Sequence, residues 1–77
     1  MNGILKRIKK AVGMRDDFVE GEFWSWPKVD KCFCFFKFSD GKMRIIETSV
    51  VTKIIMRDAA EVVFEAKDGV FQVILTG

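Results

Sequence analysis

Two Asp-Gly pairs, Asp40-Gly41 and Asp68-Gly69, each lie between segments in which apolar residues recur at every second position. Asp-Gly supplies the two positive φ angles of a type I′ turn, so each pair predicts a two-residue β-hairpin. An alternation of period two is typical of strands, not helices. These turns therefore predict antiparallel sheet for much of the chain.

The segment before the first turn, residues 31–38, contains four of the eight phenylalanines and both cysteines. Because strand side chains alternate between two faces, this strand has two distinct sides. One side is wholly apolar: Cys32, Cys34, Phe36 and Phe38. The other carries aromatic residues between cations: Lys31, Phe33, Phe35 and Lys37. The first side predicts a core face, whereas the second fits either another buried face or a binding surface.

The turn fixes which residues face each other across this hairpin. With Asp40 and Gly41 in the loop, Phe38 opposes Met43 and Phe36 opposes Ile45, which extends the apolar side. The same register places Cys34 opposite Glu47, Phe33 opposite Thr48, Phe35 opposite Ile46, and Lys37 opposite Arg44. We therefore expect the cysteine-containing side to be the core and the aromatic-basic side to lie under a helix or a partner.

The second turn predicts a hairpin of residues 61–67 and 70–76. With Asp68 and Gly69 as the loop, an all-apolar face pairs Val62, Phe64 and Ala66 with Leu75, Val73 and Phe71. Further strands are predicted at 18–26, 42–48 and 51–57, with a corner near residues 48–50. Pro27 ends the first of these, because proline cannot donate to a central ladder.

Residues 3–12 read as a basic amphipathic helix, since their apolar residues fall on one arc at helical spacing. Its cations are Lys6, Arg7, Lys9 and Lys10. The helix could lie on the sheet, cover a barrel end, fray, or dock on a partner or an anionic surface. The predicted fold is thus one domain over 1–77, mainly β (α+β): a helix at 3–12, then at 18–76 a five- or six-stranded antiparallel meander that forms a strongly bent sheet or small barrel.

The composition argues against catalysis. The chain has no histidine and no tyrosine, so the commonest general base and metal ligand is missing. Two cysteines are too few for a four-ligand zinc site, and on one strand face they are better read as small buried residues in a reducing compartment. We therefore expect no enzyme activity, no metal, no cofactor and a cytoplasmic location.

The leading functional hypothesis is a non-enzymatic module that binds a protein as an inhibitor, adaptor or regulator. A regulator encoded by a phage or mobile element would fit this hypothesis. It rests on four residues that share one face of the first strand: Trp24, Trp26, Glu20 and Glu22. Tryptophans flanked by charges are common interface anchors. The alternative is that the two rings cap a barrel end.

The strand at 31–38 also resembles the ribonucleoprotein motif of RNA-recognition and cold-shock domains, with Lys31, Phe33, Phe35 and Phe38 at its basic and aromatic positions. This resemblance, which covers eight residues, implies binding of single-stranded nucleic acid with Phe33 and Phe35 stacked on bases. Lys31, Lys37 and Arg44 would contact phosphates.

Two further interactions are open. The basic segment of Lys6, Arg7, Lys9 and Lys10 could attach peripherally to an anionic membrane, although no apolar run is long enough to span one. Edge strands at 18–26 or 70–76 could pair with a second copy of the chain.

Overall fold

The computed structural model describes residues 1–8 and 17–77, and every element in these ranges is a strand. Six antiparallel strands follow one another around a closed barrel, and β1 pairs with both β2 and β6 to close it. The strands are β1 (Asn2–Ile8), β2 (Asp17–Glu22), β3 (Cys32–Ser39), β4 (Lys42–Arg57), β5 (Glu61–Ala66) and β6 (Gly69–Leu75). The prediction of a mainly β antiparallel meander in a small barrel is confirmed.

The prediction of an N-terminal helix is wrong for the residues that the structure describes. Residues Asn2–Ile8 form β1, with Leu5 buried inside the barrel, while the rest of the predicted helix, including Lys9 and Lys10, lies outside the described residues. An isolated helix of about ten residues is marginal in water. As a strand, the same segment gains a ladder on both sides and removes the two sheet edges that β2 and β6 would otherwise expose.

The first hairpin has the predicted turn, and the predicted register holds from the turn to Cys34 opposite Glu47; beyond it the register shifts, so Cys32 pairs with Val50. Asp40 and Gly41 adopt φ angles of 53° and 74°, as a type I′ turn requires. Phe38 pairs with Met43 and Lys37 pairs with Arg44. Local turn chemistry is therefore sufficient to set this register.

The second hairpin has the predicted faces but a register shifted by two residues. Ala66 pairs with Gly69 and Phe64 with Phe71, so the loop is Lys67-Asp68 instead of Asp68-Gly69. Because a two-residue shift preserves side-chain parity, the predicted core face is still buried here.

The predicted corner at residues 48–50 is instead a bend within one long strand, β4. Its first half pairs with β3 and its second half with β5, and register shifts accompany both ladders. Such bulges increase local twist and let one strand serve two sides of a barrel. At the bend Thr48 is buried, and its hydroxyl accepts a hydrogen bond from the backbone N–H of Phe33 (3.2 Å).

The core face of β3 is the opposite of the predicted one. Phe33 and Phe35 are buried inside the barrel, whereas Cys32 and Phe38 are exposed on its outside. Aromatic rings fill the interior, including Phe23 against Phe35, with centroids 6.3 Å apart, and Phe33 against Phe64 at 5.5 Å. The interior of a closed barrel must be filled by large side chains. The phenylalanines of the aromatic-basic side therefore form the core.

Candidate functional site

Apolar side chains cluster on the outside of the barrel, over β3 and the first half of β4. Phe36 pairs across the hairpin with Ile45, and Phe38 with Met43, so all four point outward together. Trp24, in the loop after β2, stacks on Phe36 with ring centroids 4.5 Å apart. We call this set the outer patch: Trp24, Phe36, Phe38, Met43 and Ile45.

Most of the outer patch is open to solvent. Trp24 is 71% exposed, Ile45 62%, Phe38 61% and Met43 53%, while Phe36 is largely covered. Single exposed apolar residues are ordinary, but a contiguous group of aromatic and branched side chains marks an interaction site more often than chance. The patch therefore has the composition of an interface core.

The two tryptophans predicted to share a face are separated by the structure. β2 ends at Glu22, so neither tryptophan lies on a strand. Trp26 packs edge-on against Phe23, with centroids 4.9 Å apart, and flanks the core. Trp24 is 71% exposed, whereas Trp26 is partly buried, so of the two Trp24 is the better placed as an anchor.

Carboxylates surround the outer patch. Glu20 and Glu22 point outward from β2, and Glu22 pairs with Phe36 across the β2–β3 boundary. Glu47 follows Ile45 on the same outward face of β4, opposite Cys34. Among the described residues, the outward positions of β2, β3 and residues 42–47 of β4 carry these three acids and no cation.

Partial burial, and then the neighbouring Glu47 carboxylate, favour the neutral form of the Cys34 thiol. Partial burial raises the pKa of Cys34, and a hydrogen bond to the Glu47 carboxylate (3.5 Å) and its charge raise the pKa further. Both cysteines are free thiols, and the prediction that they lie in the core is wrong, because they point outward.

The predicted nucleic-acid site is not assembled as one accessible surface. Phe33 and Phe35 are 3% and 0% exposed, so neither ring can stack on a base. Lys37 and Arg44 face each other at one end of the barrel, on the inward side of the hairpin. Lys31 lies apart in the loop before β3 and is exposed. The cations are accessible, but the stacking platforms are not.

The predicted basic helix is also divided by the fold. Lys6 and Arg7 lie on successive positions of β1 and therefore point to opposite sides of the sheet. The Arg7 guanidinium lies 6.0 Å from the centroid of the Phe71 ring and donates a hydrogen bond to the backbone carbonyl of Asp68 (2.7 Å). This arrangement ties β1 to the final hairpin.

Residues 1–8 and 17–77 contain neither a cluster of metal-ligand side chains nor a helix that could cross a membrane. No three histidine, cysteine, aspartate or glutamate side chains gather as metal ligands there. No helix in the same ranges has the length and apolarity needed to cross a membrane.

Sequence reasoning missed Phe38, Met43 and Ile45 as surface residues, although a signal was present. The predicted register already placed Glu47 on the face assigned to the core. A carboxylate is almost never fully buried without a partner, so this residue argued that the cysteine-containing face is the wet one.

Comparison with family models, curated proteins and solved structures finds no match to this chain. Its function is therefore inferred from its own residues.

Proposed function

We propose that this protein is a non-enzymatic binding module that attaches to a protein partner through the outer patch. The observation that carries the proposal is the exposure of adjoining apolar residues, with Trp24, Phe38 and Ile45 each more than half open to solvent. Aromatic residues of this kind contribute most of the energy of protein interfaces, particularly where they lie near the centre of the buried area.

The outer patch is not required to complete the core. The buried cluster is formed by inward residues such as Phe35, Phe64 and Val73. Phe38, Met43 and Ile45 leave large apolar areas in water at a free-energy cost that a partner would relieve. A charged ring around such a group is the usual polar rim of an interface, and Glu20, Glu22 and Glu47 supply it.

Matched substitutions test the site. Ile45→Ser changes the outer patch, whereas Ile55→Ser changes an isoleucine that is also exposed (49%) but lies on the distant half of β4. Partners captured from cells that naturally produce the protein should be retained by the Ile55→Ser variant. Their affinity for Ile45→Ser should fall at least about tenfold, as expected for loss of an interface hot spot.

Both variants must first show the circular dichroism spectrum and the solution mass of the wild type. A captured protein that binds Ile45→Ser as tightly as wild type contradicts the proposed site. Tight binding of a single-stranded oligonucleotide that outcompetes the captured protein would instead favour a nucleic-acid function.

A further inference from the structure

The barrel is weakly closed at one boundary. β2 and β3 are joined by a single ladder pair, Glu22 with Phe36, whereas the other neighbouring strands pair along most of their shared length. At this junction Gly21 lies directly against the carbonyl oxygen of Phe36, so the two strands meet there. Among the described residues, no further ladder pair joins them toward the Asp40-Gly41 turn.

On both sides of this gap, backbone N–H and C=O groups point into the gap. Met1 and Phe23 exchange both backbone hydrogen bonds, at 3.0 and 2.9 Å. Since hydrogen-bonded and non-hydrogen-bonded pairs alternate in an antiparallel ladder, the next residues of β2 that direct their N–H and C=O away from β1 are Glu22, Glu20 and Phe18. Glu22 has its partner on β3, and no described strand pairs with the other two.

The same alternation applies to β3. A two-residue type I′ hairpin makes Ser39 and Lys42 a hydrogen-bonded pair, so Phe38 directs its N–H and C=O away from β4 and toward β2. Within residues 1–8 and 17–77, no strand is paired with this edge at Phe38. We call this stretch, bounded by Phe18, Glu20 and Phe38, the open seam.

The open seam adjoins an apolar, acidic cleft. A cavity of about 430 Å³ on the outer surface is lined by Ile4, Glu20, Gly21 and Phe38, among others. Phe38 belongs to both this cleft and the outer patch, so the two surfaces are continuous. The carboxylates nearby, Glu20 and Glu22, outnumber the one cation at the outward positions of the described parts of β1, β2 and β3, which is Lys6 opposite Phe18.

We propose that the partner presents an extended segment, with apolar and basic side chains together on its outward face, that adds to the open seam as a strand. Its backbone pairs with β2 at Phe18 and Glu20, its apolar side chains lie against Phe38 and the outer patch, and its cations face Glu20 and Glu22. Addition of a strand to an exposed sheet edge is a recurring mode of peptide recognition. This inference rests on the proposed function and specifies the chemistry of the partner.

A set of synthetic peptides tests the proposal on the wild-type protein. The first is about eight residues long, the length of an ordinary strand. It carries lysine and phenylalanine in turn at every second position, with threonine between them, so that both types lie on one face. Two more carry N-methyl groups on alternate amides, one set on each edge of the extended peptide, and a fourth has glutamate in place of lysine. Binding is followed by the NMR shifts and the hydrogen exchange of backbone amides.

The expected result is binding of the lysine peptide, with shifted and protected amides at Phe18 and Glu20 and a shifted amide at Phe38. One N-methylated peptide should bind about as well, and the other at least about tenfold more weakly, since methylation removes the donors on the paired edge only. The glutamate peptide should not bind. Equal binding of both methylated peptides, shifts elsewhere on the barrel, or no binding of the lysine peptide overturns the inference.

Substitutions at one position separate backbone pairing from charge. Glu20→Pro removes the N–H that faces the seam but leaves the β1–β2 ladder intact, because this N–H does not point toward β1. Glu20→Gln keeps the N–H and removes the charge. We expect the proline variant to lose peptide binding and the glutamine variant to weaken it; unchanged binding by a folded proline variant contradicts strand addition. If Ile45→Ser abolishes capture of a natural partner while these peptides do not bind, the proposed function stands and the inference fails.

Discussion

Phe35→Ala and Phe38→Ala form a matched pair that tests which face of β3 is the core. The two residues are of the same type, lie in the same strand and differ in facing the inside and the outside of the barrel. Phe35 is fully buried, whereas Phe38 is 61% exposed. The structure therefore predicts that the same substitution has unequal effects on stability.

The magnitudes follow from the buried areas. A fully buried phenylalanine removes about 200 Å² from water, worth about 5 kcal/mol at about 25 cal/mol per Å². This agrees with the ~3–5 kcal/mol found when core phenylalanines are truncated. Phe38 keeps only about two fifths of that area buried, which corresponds to about 2 kcal/mol. Both figures are upper estimates because unfolded chains already bury some area, but their difference of about 3 kcal/mol is more secure.

Thermal and urea denaturation, followed by far-ultraviolet circular dichroism, measures this difference. For a domain of this size, 1 kcal/mol shifts the melting temperature by about 4–8 °C, so Phe35→Ala should melt about 12–24 °C below Phe38→Ala. Small domains are stabilised by only about 5–15 kcal/mol, and Phe35→Ala could leave much of the protein unfolded at room temperature. Equal losses, or a larger loss for Phe38→Ala, would refute the orientation of β3 and remove the basis of the outer patch.

Three other substitutions test local features of the barrel. Gly21→Ala should lower the free energy of unfolding by about 1–3 kcal/mol in urea titrations, since a methyl group there overlaps the carbonyl oxygen of Phe36; a neutral effect would show that β2 and β3 do not meet at this point. Glu47→Gln should lower the raised pKa of Cys34, but only in part, since burial is the largest cause of the shift and remains. More thiolate should then form at mildly alkaline pH, and iodoacetamide should modify Cys34 faster, as mapped by tandem mass spectrometry. An unchanged rate of modification argues against the contact between Cys34 and Glu47. Thr48→Val should cost about 1–3 kcal/mol by leaving a buried backbone N–H without its acceptor, and a stability equal to wild type in the same titrations would exclude that role.

The first hairpin shows what local sequence can determine in this protein. Asp40-Gly41 predicted the turn type and the pairing of Phe36 with Ile45, because both depend only on residues near the turn. It did not determine which face is buried, since both faces of β3 are rich in apolar residues. That choice is made by contacts distant in sequence, such as Phe33 against Phe64.

The N-terminal segment and the surface site depended on the same kind of distant contact. Residues 3–8 have an apolar pattern that fits a helix or a strand, and short patterns of this kind are ambiguous. Pairing with β6, whose residues are more than sixty positions away, settles the choice as β1. The anchor at Trp24 was predicted, but its neighbours Phe38 and Ile45 were not, because their exposure follows from the inversion of β3.

The short segment after β2 both completes the core and creates the surface. Phe23 turns inward and is fully buried, contacting Phe35 and Trp26. The next residue, Trp24, turns outward and stacks on Phe36. The single ladder pair of Glu22 with Phe36 lies between this anchor and the open seam, which begins on the other side of the pair at Glu20. Because Trp24 stacks on the ring of Phe36, and Phe38 of the open seam lies on the same outward face of β3, a partner that uses one can contact the other.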